Sequence, residues 1–144
     1  MPLRQGQDKL AIGVVARMHP QGKLLLAYFW GRKSVSFPAL NETETLTYRN
    51  SVCALRISDM HLLSGEWGIL GISKKWSAAD WPMPIFVTTD LLTHKILKVQ
   101  YSNSDPSILV DRTVIPSAEL GYQPDGLFGP QAVEKYLSKI ILEK

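Results

Sequence analysis

The chain is short of the residues that most often carry enzymatic chemistry. A single cysteine, Cys53, stands among its 144 residues. One thiol cannot close an internal disulfide, which fits a reducing compartment. It lies in SVCALRIS between Val52 and Ala54, the setting of a buried thiol in a strand. The three histidines, His19, His61 and His94, are isolated, with no His-x-Glu or His-Glu-x-x-His spacing of the kind zinc hydrolases use. No Gly-x-Ser-x-Gly turn marks an activated serine. Gly65, Gly68 and Gly71 are spaced for turns and strand packing rather than for a phosphate loop. No apolar run approaches the ~18 residues of a membrane helix. The opening MPLRQGQDKLAIGVVARM lacks the uninterrupted apolar core of about 7–15 residues that a signal peptide needs, so a cytoplasmic protein is expected. Internal repeats, low-complexity tracts and linkers are missing too, which predicts one domain over 1–144, long enough for a core without disulfides or metal.

What charge there is falls unevenly. The net charge is +3, yet residues 1–35 carry six basic groups (Arg4, Lys9, Arg17, Lys23, Arg32, Lys33) against Asp8 alone. Such a basic hairpin can point to nucleic acid. Here the charges are scattered among apolar strand residues, as on a solvated face, and no direct nucleic-acid contact is expected. From Tyr101 to Pro130 the balance reverses: Arg112 is the sole base against Asp105, Asp111, Glu119 and Asp125. Acidic surfaces steer basic protein partners.

Local patterning predicts an α+β domain. Residues 10–31 read as two strands joined at His19-Pro20-Gln21-Gly22, where proline and glycine supply the turn geometry. Both arms are nearly continuously apolar, which places them in the middle of a sheet. Ser34–Leu40 reads as a short extended piece, and Asn41 as the N-cap of one or two helical turns. Further strands are expected at Ser51–Ser58, around Glu66–Ile72, and at Ile85–Thr89, Lys95–Tyr101 and Ile108–Ile115. Asp59 is placed to cap a short turn that Gly65 ends, and Pro116–Gly121 suggests one more helical turn. The chain closes with a helix opened by Pro130. In it Ala132, Val133, Tyr136, Leu137, Ile140 and Ile141 recur at helical spacing, with Glu134, Lys135, Ser138 and Lys139 opposite. The expected architecture is a mainly antiparallel, curved β-sheet or partly open barrel with short helical turns and the C-terminal helix packed on it.

The most distinctive stretch is LLSGEWGILGISKKWSAADWPMPIFV, 62–87, which holds Trp67, Trp76 and Trp81, three of the four tryptophans. Each brings a large apolar surface and an indole N–H that needs a partner, so such a cluster marks a core edge or a recognition surface. Together with GVVARMHPQGKLLLAYFWG (13–31), YSNSDP (101–106) and GLFGPQAVEKYL (126–137), the segments LLSGEWGILG (62–71) and WSAADWPMPIFVTTDLLT (76–93) resemble the immunity protein 26 family of bacterial polymorphic toxin systems. Residues 36–58 match less closely. The resemblance implies a small cytoplasmic protein, encoded beside a toxin, that protects the producing cell by binding the toxin domain. It implies no catalysis, cofactor or metal. If the toxin is a basic nuclease, Asp105, Asp111, Glu119 and Asp125 are the expected contact residues, with Trp76, Asp80 and Trp81 as anchors. Some members of that family are labelled phosphotriesterases, so a small metal-dependent phosphotriesterase is the first alternative, although this sequence offers no evident way to hold the ions. A nucleic-acid-binding β module is the second.

Overall fold

The run Leu24–Arg32 forms a strand, β3, in which Leu25–Trp30 are buried on both faces. Successive strand residues point to opposite sides. Leu25, Ala27 and Phe29 enter a cluster with Cys53, Leu55, Ile57, Val133 and Leu137. Leu26, Tyr28 and Trp30 enter another with Ala54, Trp81, Phe86, Leu97 and Val99. The chain is therefore layered about β3. It is seen here in a computed structural model that describes residues 2–3, 6–32, 46–69, 71 and 76–142.

The sheet containing β3 also holds β1 (Pro2–Leu3), β2 (Gly6–Met18), β4 (Cys53–Ser58) and β9 (Leu127–Phe128), in the order β1-β2-β3-β4-β9. A second sheet is built from β5 (Phe86–Thr89), β6 (Ile96–Tyr101), β7 (Leu109–Ile115) and β8 (Gln123–Pro124), in the order β7-β6-β5-β8. Pairing is antiparallel except at β4–β9 and β5–β8, which are parallel. A C-terminal helix, α2 (Pro130–Leu142), covers the first sheet on the side away from the second. The α+β class, the antiparallel bias and the terminal helix are as the sequence predicts, while the strands divide between two sheets, neither closed into a barrel. Residues 123–128 join the layers, since β8 pairs with β5 and β9 with β4 across only Asp125 and Gly126.

Local chemistry explains the joints. The β2–β3 turn closes through Gly22 N–H donating to His19 O at 2.8 Å, with Gly22 at φ 76°. Lys23 follows at φ 73°, and its N–H donates to the Asp59 carboxylate at 2.8 Å. That carboxylate was the expected cap of the short helix α1 (Met60–Leu63), but it makes no cap bond there. Where the last described turn of α2 crosses β3, Gly31 leaves the space: a Cβ on it would stand 2.8 Å from Ile141 Cγ2.

Three predicted features are corrected. Residues 66–69 are irregular rather than a strand, and Ile72 lies outside the described residues. Pro116–Gly121 contains bends and a turn but no helix. In α2, Val133 and Leu137 are buried as expected, each worth ~1.5–3 kcal/mol, but Ala132 is exposed while Glu134 and Ser138 are buried. The helix rolls toward Trp67, whose indole N–H donates to Glu134 Oε1 at 3.1 Å. The pieces predicted at Ser34–Leu40 and Asn41–Glu44 lie outside the described residues.

Candidate binding surface

The seven residues singled out from sequence do not share one accessible surface. Trp81 is only 8% exposed and packs against Tyr28 and Trp30, with ring centroids 5.4 and 5.5 Å away. It belongs to the inter-sheet core. Its neighbours in the turn before β5 do face outward, Trp76 at 42% exposure and Asp80 on a short 3-10 turn, Ala78–Asp80. The sequence did not separate the two tryptophans because one turn carries both, and only the packing of Tyr28 and Trp30 draws Trp81 inward.

The acidic run splits likewise. Asp105 is buried in the β6–β7 loop, where it accepts Ser107 Oγ–H at 2.6 Å and Ser107 N–H at 2.9 Å and meets His19 Nδ1 at 3.0 Å. The Ser107 bonds, supported by His19, hold its carboxyl below the usual carboxylate range. Asp125 accepts Tyr101 O–H at 2.6 Å and pairs with Arg56 Nη1 at 3.3 Å. Arg56, buried on β4, also donates to Pro106 O at 2.9 Å and lies 3.8 Å from the Tyr101 ring centre. Burial first, then the bond to Asp125, pushes the Tyr101 hydroxyl up to about 12. Asp105 and Asp125 therefore hold loops together inside the molecule. Asp111, on β7, and Glu119, in the connection to β8, remain exposed.

His19, Asp105 and Ser107 are a hydrolase's residue types, yet their geometry differs from that of a hydrolase. A serine nucleophile needs its hydroxyl on the imidazole nitrogen opposite the one held by the carboxylate. Here Asp105 and Ser107 both meet Nδ1, and the hydroxyl bonds to Asp105. The arrangement clamps the β2–β3 turn to the β6–β7 loop. Across the molecule, His61 Nε2 lies 3.1 Å from Glu66 Oε2 and 3.8 Å from Glu134 Oε1, edge-on to Trp67. Among the described residues no three His, Cys, Asp or Glu side chains converge as metal ligands would. A cleft of about 70 Å³ beside Gly13, Val15, Leu62 and Trp67 has room for only a few waters, far below a cofactor pocket. Cys53 is walled in, and burial pushes its thiol up to about 12, the opposite of an activated nucleophile.

The feature that sequence reading missed is the exposure of the outer strand of the second sheet, a strand the sequence places at Ile108–Ile115. Leu109, Val110 and Val114 of β7, with the preceding Ile108, are all more than half exposed. Leu91 and Leu92 protrude from the β5–β6 turn, and Leu120 from the β7–β8 connection. In ILVDRTVI the apolar content announces a strand, and no local signal says that neither face is covered. No described helix is long and apolar enough to cross a membrane. Compared with protein-family models, curated proteins and solved structures, the chain matches none.

Proposed function

We propose that this chain is an immunity protein of the type it resembles in sequence, a cytoplasmic inhibitor that neutralises a toxin domain by covering its active site without chemistry of its own. The observation that carries the reading is the exposed strand β7, whose apolar Leu109, Val110 and Val114 stand on either side of Asp111 and Arg112, with the outward Glu119 in the connection that follows. An exposed apolar patch interspersed with charge is the kind of surface that binds another protein. The interior polar clusters are consistent with this role, because each ties loops together and none presents an activated group to solvent. Such interfaces typically bury ~1,600 Å² and depend on a few anchor side chains; β7 and the exposed Trp76 are where those anchors lie in this proposal.

The test is co-expression with the toxin domain encoded by the neighbouring reading frame. The expected outcome is restored growth and a stable complex on size-exclusion chromatography. Unrelieved growth arrest together with no complex would remove the proposal.

A further inference from the structure

An exposed β-edge is a row of unpaired N–H and C=O groups, and proteins blunt such edges by shortening, bulging, charging or covering them. Three of the edge strands here, β1, β8 and β9, have two residues each. The outer side of β2 is broken by a bulge near Val15–Arg17, and the Arg17 guanidinium ties it to Ala16 O, Ala78 O and Asn103 O. β7 is also irregular at Val110, between the pairs Gln100–Asp111 and Tyr101–Leu109, and carries Asp111 and Arg112, but it has seven residues, contains no proline, glycine or lysine, and has no strand on its outer side among the described residues.

The ladder determines which groups are free. Asp90 N–H donates to Lys95 O and Ser102 N–H to Ile108 O. By antiparallel alternation, odd residues of β6 therefore bond toward β5 and even ones toward β7. Asp111, Thr113 and Ile115, opposite Gln100, Lys98 and Ile96, return those bonds. Arg112 and Val114, opposite Val99 and Leu97, then direct their N–H and C=O groups outward. Their side chains share a face with buried Val99 and Leu97, yet Val114 is 58% exposed.

We propose that the free edge of β7 takes an extended strand of another protein by strand addition, and that this strand carries an adjacent acid and base at its centre, flanked by apolar residues. The acid faces Arg112 and the base faces Asp111, which lie on opposite faces of β7 and form no ion pair with described residues; apolar neighbours cover Leu109 and Val114. Backbone pairing supplies affinity and the alternate side chains supply specificity. A second copy of this chain fits less well: the two-fold antiparallel register that overlaps all of β7 sets Arg112 against Arg112, and of the two five-residue registers beside it one sets Asp111 against Asp111 and the other leaves Arg112 against Val114 and Asp111 against Ile115, with neither charge paired. Like charges directly opposite are destabilising. The inference rests on the inhibitory role proposed above for the identity of the natural partner only.

The probe is a disulfide-closed β-hairpin peptide whose free strand reads Val-Val-Thr-Glu-Lys-Val-Val, titrated into the full chain by NMR. Saturable binding is expected, with slowed hydrogen exchange at Arg112 and Val114. A hairpin with Lys-Glu in place of Glu-Lys is expected to bind about tenfold more weakly, since both charge pairs become like-charged. Val114→Pro removes an outward N–H, which an edge strand tolerates, and should abolish binding; Val114→Lys, which leaves the backbone intact, should weaken it several-fold. No binding of the matched hairpin, equal binding of the swapped one, or protection of another strand overturns the inference. The neighbouring toxin domain separates the two proposals. If wild type and Val114→Pro capture it equally, the edge proposal falls and the inhibitor reading stands. If wild type binds the hairpin but not the toxin domain, the inhibitor reading falls and the edge proposal stands.

Discussion

β3 and β7 are both strands rich in aliphatic residues, and they meet opposite environments. From Leu25 to Trp30 every residue of β3 is buried, whereas from Leu109 to Val114 every residue of β7 is exposed. The difference lies in position. β3 is central in a sheet with α2 on one face and the second sheet on the other, so the side chains from Leu25 to Trp30 find cover on both faces. β7 ends its sheet. Composition identifies a strand, but the number of layers around it decides how much its side chains stabilise.

This contrast can be broken in several ways, and the largest effect should be chemical. Cys53, on β4 against β3, should react with a thiol reagent at pH 8 at least about a thousandfold more slowly than a Val110→Cys thiol on β7 in a Cys53→Ala background, because modification waits for opening of the core. Comparable rates would mean that the β3–β4 layer is far looser than its packing. Next is stability: Leu26→Ala should cost about 2–5 kcal/mol in urea unfolding, and Val110→Ala within ~0.5 kcal/mol. Similar costs would erase the distinction. Gly31→Ala should cost about 1–3 kcal/mol, since its new methyl meets Ile141 and the helix must shift off β3. The smallest effect is a pH dependence. With its carboxyl pKa lowered by folding, Asp105 contributes stability above its unfolded value of about 3.9, and that contribution is lost as pH falls through the lower folded value. Asp105→Asn should therefore be less stable at neutral pH and flatter in acid; an unchanged acid profile would show that Ser107 and His19 do not hold the carboxylate in solution.

Much of the architecture was legible because it is written locally. The hairpin at 10–31, the strands ending at Ser58, Thr89, Tyr101 and Ile115, and the helix from Pro130 all carry periodicity or turn residues within a few positions. The parts that were not legible depend on distance. Two-residue parallel strands such as β8 and β9 have no sequence signature, because their partners lie tens of residues away. Arg56 and Asp125 pair across 69 positions and His19 and Asp105 across 86, so the inward pairing of two of the four acidic residues could not be read from their neighbours. Likewise, Glu134 reads as solvent-facing until Trp67 is found beside it. For the candidate surface, sequence located Trp76, Asp80, Asp111 and Glu119 on the outside. It gave no hint of the β7 edge between them.

The short segment 123–128, which pairs with one sheet and then the other, has a consequence for biosynthesis. Until it leaves the ribosome, the two layers have no shared backbone bonds at that end. The free edges of β4 and β5 must then wait for backbone partners some seventy and thirty-five positions away, in the register pairs Arg56–Leu127 and Phe86–Gln123. A nascent chain stopped just short of Gln123 should therefore be a client for chaperones, and emergence of 123–128 with the helix that follows should relieve that need.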